Sequence, residues 1–205
     1  MTSKHKWLIG LVIILAASLF FTLKPDNSVP FPIPPAMKGD EITACPDSQL
    51  LTKVLSDLRY KVNSQPNHIE HWRNMADPAR HVLALSWVED DLPADAPSHQ
   101  FSGFAILMCN HSPNIATLDE IAAAYEAIGA PKTAEAVKEA KAIAESPEGR
   151  ETYASGNPQP HFTNGNPFDK VDRKFRDQRQ QDGSLNLLRK YIRAHADDIA
   201  SARMN

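Results

Sequence analysis

The chain has 205 residues, 42% of them hydrophobic and 23% charged, with a formal net charge of -3. That length and composition suit one globular domain of ordinary size, and exclude a disordered chain or a fold that must be stapled by disulfides or metals. The charge is uneven. Lys4, Lys6 and Lys24 are the only charged residues among the first 24, the stretch 25–167 is acidic, and 168–205 is mildly basic.

The run 7–23, WLIGLVIILAASLFFTL, bounded by Trp7 and Leu23, carries no charge. As a helix it rises about 25 Å, at the short end of what spans a bilayer. Leu19, Phe20, Phe21 and Leu23 are bulky where a cleavable signal needs small residues, so the reading is an uncleaved anchor. Ile42-Thr43-Ala44-Cys45 mimics a lipoprotein box but lies too far beyond the apolar run to act as one. Lys4 and Lys6 precede the run and Lys24 alone follows it, which predicts a cytoplasmic N-terminus and an exported, periplasmic domain. The expected division is an anchor over 1–24, a stiff Pro-rich spacer over 25–44, and a soluble domain over 45–205. Cys45 and Cys109 are the two cysteines. In an oxidising compartment they can close a disulfide; in the cytoplasm they would be small buried hydrophobes.

The soluble part predicts an all-α fold. After Pro46-Asp47, the residues Leu50, Leu51, Val54, Leu55, Leu58 and Val62 fall at helical spacing. A short amphipathic piece over 66–76 carries Ile69, Trp72 and Met75. Pro78 suits the first turn of a helix through Trp87. Glu89, Asp90, Asp91 and Asp95, broken by Pro93 and Pro97, are expected in a solvated loop. The apolar stretch 100–109 predicts a central buried helix. Thr117-Leu118-Asp119-Glu120 is a capping box, Gly129 suits a left-handed helix stop, and Pro131 suits the next first turn. Together these predict an antiparallel helical hairpin over 114–146. The stretch 147–167, with His161 and Phe162, is a long irregular segment. Further helices are expected from Phe168 and from a capping Ser184, with a charged tail that frays.

The hairpin carries a resemblance. Gly103-Phe104 precedes Asn110, the turn over 125–134 is YEAIGAPKTA, Phe168-Asp169 leads to Asp172 and Phe175, and Leu188 precedes Tyr191-Ile192-Arg193. Over roughly 80–200 this resembles the DNA-mimic-protein family of bacterial helical domains. The resemblance implies a helical fold and an acidic surface that imitates DNA phosphates before a DNA-binding protein. Where that family continues its Gly-Phe element with a polar glutamine and aromatic residues, this chain has Ala105, Ile106, Leu107 and Met108.

Groups for chemistry are few. His68-Ile69-Glu70-His71, with His81 downstream, would be the site of a metal-dependent hydrolase, but the histidine spacing is not that of a zincin helix. A Gly-rich phosphate loop, a G-x-S-x-G elbow and EF-hand ligand order are all missing from the sequence. The acidic middle has the wrong sign for nucleic acid. The expected function is therefore a membrane-tethered, non-enzymatic protein-binding domain without cofactors, of the immunity or inhibitor type. Its partner surface would use Glu89, Asp90, Asp91, Asp95, His161 and Phe162. A cytoplasm-facing DNA mimic is the alternative.

Overall fold

The computed structural model describes residues 36–63, 72–91, 116–147, 149–150 and 168–202; side chains at 63, 90 and 91 are not described. Among these residues the fold is all-α. Its helices are α1 (Gly39–Ala44), α2 (Asp47–Asn63), α3 (Asp77–Asp91), α4 (Leu118–Ala127), α5 (Pro131–Ala144), α6 (Phe168–Asp182), α7 (Ser184–Ala194) and α8 (Ala196–Ser201). A 3-10 turn, Trp72–Asn74, precedes α3.

The α4–α5 hairpin is the centre of the layout, with α3 packed on α4 and α6 packed on α5. Its turn forms as its residues predict. Thr117 Oγ1 accepts from the Glu120 amide at 3.2 Å, and the Glu120 carboxylate accepts from the Thr117 amide at 2.7 Å. Two amides at the start of α4, those of Thr117 and Glu120, gain side-chain acceptors this way. Gly129 takes φ 84°, where a side chain would be strained. Around it the Gly129 amide donates to Glu126 O and the Ala130 amide to Tyr125 O, which completes a Schellman stop. Alanines 134, 136 and 140 of α5 are buried, so the backbones of α4, α5 and α6 approach closely.

The start of α5 has no cap of its own. Asp182, at the end of α6, reaches across and accepts from both the amide and the hydroxyl of Thr133 at 2.9 Å. Ser184 was expected to cap the following helix. It instead lies inside the first turn of α7, 1% exposed, with its hydroxyl 3.1 Å from Thr133 Oγ1. Gly183, at φ 64°, makes the reversal between α6 and α7.

Three other expectations need correction. Residues 39–44, which the sequence places in an extended spacer, form α1, with Ile42 fully buried. A single large apolar residue in six gives no periodic signal, and the helix depends on tertiary burial against α8. Residues 196–202 of the tail expected to fray hold α8 and bury Ala196, Ile199 and Ala202. Lys61 of α2 holds its end by donating to Ala200 O at 3.0 Å, while pairing with the buried Asp57 at 2.8 Å. Helix α3 runs on to Asp91 rather than stopping at Trp87.

Among the described residues no helix is long and apolar enough to cross a membrane. Of the amphipathic piece expected over 66–76, residues 72–76 hold the 3-10 turn and bury Trp72 and Met75. Its first part, 66–71, the expected anchor over 7–23, the expected helix over 100–109 and most of 147–167 lie outside the described residues.

Candidate functional site

Glu89 is the member of the acidic stretch whose surroundings are best defined. Its position on α3 turns the carboxylate inward, where its side chain is 8% exposed. Tyr125 of α4 donates its hydroxyl to Oε1 at 2.9 Å, and Arg179 of α6 forms an ion pair with Oε2 at 2.9 Å. Burial, followed by the Glu89 charge, pushes the Tyr125 phenol well above its usual range. It therefore remains a donor at any physiological pH. Phe175 packs edge-on against the Tyr125 ring, with centroids 5.8 Å apart. One carboxylate thus ties three helices together, and this is why the sequence at 89 does not behave as a loop.

A groove of about 580 Å³ opens above this pair. Its walls include Leu51 and Leu55 of α2, Val82 of α3, and Leu185 and Leu188 of α7. Thr52, Ser56, Arg59 and Tyr60 of α2 and Ser86 of α3 add polar groups to the same walls, so the groove is a mixed surface over the Glu89–Arg179 pair.

The hairpin's acids are largely matched by bases. Glu126 pairs with Lys138 at 2.6 Å, Asp119 with Lys141 at 2.7 Å, and Glu139 with Lys174. The hydrogen bonds they donate to Glu126 and Asp119 hold Lys138 and Lys141 above the usual lysine range. Glu120 faces Arg73 at 2.7 Å, and the Arg73 guanidinium also stacks 4.9 Å over the Trp72 ring. Burial alone would raise the Glu120 carboxyl, but bonds from Arg73 and Thr117 outweigh it and the net shift is downward. A row of neutralised carboxylates does not present the unopposed negative array of a phosphate backbone.

A second group of acids is exposed on α1 and α8. Asp40 and Glu41 of α1 and Asp197 and Asp198 of α8 are exposed on two packed helices. Asp197 lies so close to the start of α1 that a Cβ on Gly39 would run into its carboxylate. Sequence reasoning missed this cluster, because its halves are more than 150 residues apart and α1 has no periodicity to announce it.

Of the other expected site residues, Asp90 and Asp91 lie in the last turn of α3, with side chains outside the description. Asp95, His161 and Phe162 lie outside the described residues, as do His68, Glu70 and His71. Cys45 is a buried free thiol, and Cys109 lies outside the described residues. His81 is half-buried on α3, and its Nδ1 is 2.9 Å from the Tyr191 hydroxyl. Among the described residues no group of three or more His, Cys, Asp or Glu side chains could hold a metal.

Searches of curated proteins and of solved structures returned no match. A protein-family comparison did: the DMP19-like protein family matches residues 73–195, from the 3-10 turn to the end of α7. This is a family of DNA-mimic proteins, in keeping with the resemblance carried by the hairpin turn, and it suggests a protein-binding role. With more than half of its length matched, the chain belongs to the DMP19-like protein family.

Proposed function

We propose that this protein is a non-enzymatic binding domain that offers exposed carboxylates to a basic protein partner. On this reading residues 7–23 tether it to the membrane, and the partner is met on the outer side. Membership of a DNA-mimic family is the observation that carries the proposal, since such proteins act by occupying a partner rather than by chemistry. The exposed acids of α1 and α8 supply a surface of the right sign, in a domain whose hairpin acids are already matched by lysines. Asp90, Asp91 and Asp95, with His161 and Phe162, are the second surface assigned to the partner. Glu89 is withdrawn from that set because its carboxylate serves Tyr125 and Arg179. An envelope partner of the toxin type fits a tethered inhibitor of this kind.

The test uses the full-length protein in mild native detergent. A stoichiometric partner should be recovered, with binding that weakens as salt rises. Recovery of no partner, or of one insensitive both to salt and to neutralisation of the two acidic surfaces, overturns the reading.

Family membership favours a second reading, that the domain faces the cytoplasm and binds a DNA-binding protein. A reporter fused after Asn205 separates the two. Activity confined to the cytoplasm supports the DNA mimic, and activity confined to the outer side supports the tethered envelope protein.

A further inference from the structure

Three rings meet where α3 packs on the C-terminal helices. His81 of α3 and His195, which joins α7 to α8, each lie against Tyr191 of α7. The His81 and Tyr191 centroids are 6.1 Å apart and those of Tyr191 and His195 are 4.5 Å apart. The Tyr191 hydroxyl is 2.9 Å from His81 Nδ1. We propose that this cluster is an acid-sensitive latch: with His81 neutral, its Nδ1 accepts the Tyr191 hydroxyl and holds α7 and α8 on the domain, and protonation of His81 loosens them.

The chemistry follows from the two nitrogens of the ring. A neutral imidazole has one nitrogen free to accept, whereas the cation has none. On protonation Nδ1 turns from acceptor to donor, so the contact persists only with its direction reversed, the phenol oxygen accepting and the phenol proton losing His81 as its acceptor. A cation is also placed in a half-buried position. The charged and titratable groups around it work in both directions. Asp77, on the same helix, favours the cation; Arg80, beside it, and His195, from the C-terminal side, oppose it. Asp198, on α8, lies 3.6 Å from His195 Nδ1, and Asp77 and Asp198 both act on the Tyr191 phenol. Desolvation is the largest influence on His81 and, with Arg80 and His195, outweighs Asp77, so that the imidazole titrates below its usual value.

The sign is therefore fixed. An unfolded or detached His81 binds a proton more readily than the latched one. The latch is at full strength above about pH 6.5, the free histidine value, and is lost as pH falls from there through the value in the fold. The energy concerns only a few contacts, since α7 and α8 also bury Leu188, Ile192 and Ile199. The expected result is local opening of the C-terminal helices, with the hairpin left intact.

Amide hydrogen exchange on the full-length protein in mild detergent reads this directly, after correction for the intrinsic effect of pH. Between pH 7.5 and pH 5.5, amides of residues 184–201 should lose protection severalfold while those of 118–144 hold theirs. His81→Gln keeps a neutral side chain and should remove the pH dependence. Equal loss in the two regions, no loss in 184–201, or a pH dependence that persists in His81→Gln each overturns the proposal. Should that variant fail to fold, an NMR titration of the His81 ring in the unaltered protein decides: a midpoint below the free histidine value supports the latch, and one at or above it refutes it.

Discussion

Replacing Glu89 by Ala removes the carboxylate that Tyr125 and Arg179 share beneath the groove. The Tyr125 hydroxyl, fully buried, loses its acceptor, and the largely buried guanidinium of Arg179 loses a counter-charge at 2.9 Å. Breaking a buried pair from one side costs about 3–5 kcal/mol. Domains of this size are stable by about 5–15 kcal/mol, so the loss is a large fraction of the whole. Urea unfolding of the full-length protein, followed by far-ultraviolet circular dichroism, measures it. Glu89→Gln keeps an acceptor for Tyr125 and should fall between Glu89→Ala and the unaltered protein. A double replacement, Glu89→Leu with Arg179→Met, removes both charges and should recover part of the loss, because apolar groups of similar volume often replace such pairs at little cost. A change within about 0.5 kcal/mol for Glu89→Ala would be that of an exposed residue. It would refute the inward role of Glu89 and return it to the partner surface.

Other substitutions test the hairpin. Thr117→Ala removes the cap of α4 and should cost about 1 kcal/mol in the same urea assay. Gly129→Ala forces a side chain into the left-handed region and should cost about 1–2 kcal/mol, although space around it is open. Asp182→Ala strips α5 of the acceptor that α6 lends it, with an expected cost of about 1–2 kcal/mol. The pH dependence has a sign as well. Glu120 is held below its ordinary value in the fold, so it contributes stability above about pH 4.5 that is lost as pH falls through the depressed value. Glu120→Gln should flatten the acid limb of a stability profile measured by thermal unfolding at constant ionic strength.

Local signals made the hairpin legible. Thr117, Glu120, Gly129 and Pro131 each act within a few residues, and each does in the structure what its chemistry dictates. The apolar spacing of α2 was equally clear, since Leu50, Val54, Leu58 and Val62 bury one face. Long-range dependence hid the rest. Helix α1 exists because Ile42 is covered from the opposite end of the chain, and α8 is secured by Lys61 from α2. Neither pairing leaves a trace in local periodicity. Glu89 looked like part of a solvated acidic run because its neighbours are Asp90 and Asp91, and nothing nearby announces Arg179 ninety residues on. The same blindness concealed the exposed acids of α1 and α8, which meet only through folding. Ser184 shows the reverse error: a good capping residue stands at the right place, but Gly183 makes the turn and the hydroxyl goes to Thr133.

The most direct test of the binding account is partner occupancy as the exposed acids are neutralised. Full-length protein carrying Asp40→Asn, Glu41→Gln, Asp197→Asn and Asp198→Asn would be compared with one carrying Asp90→Asn, Asp91→Asn and Asp95→Asn. Each would be isolated in native detergent at low and at high salt. A partner that co-purifies in stoichiometric amount with the unaltered protein, and is lost with one of these sets while the fold is kept, is the predicted result. Full retention of the partner by both sets, or no partner from the unaltered protein at any salt, would contradict the claim that exposed carboxylates hold a protein here.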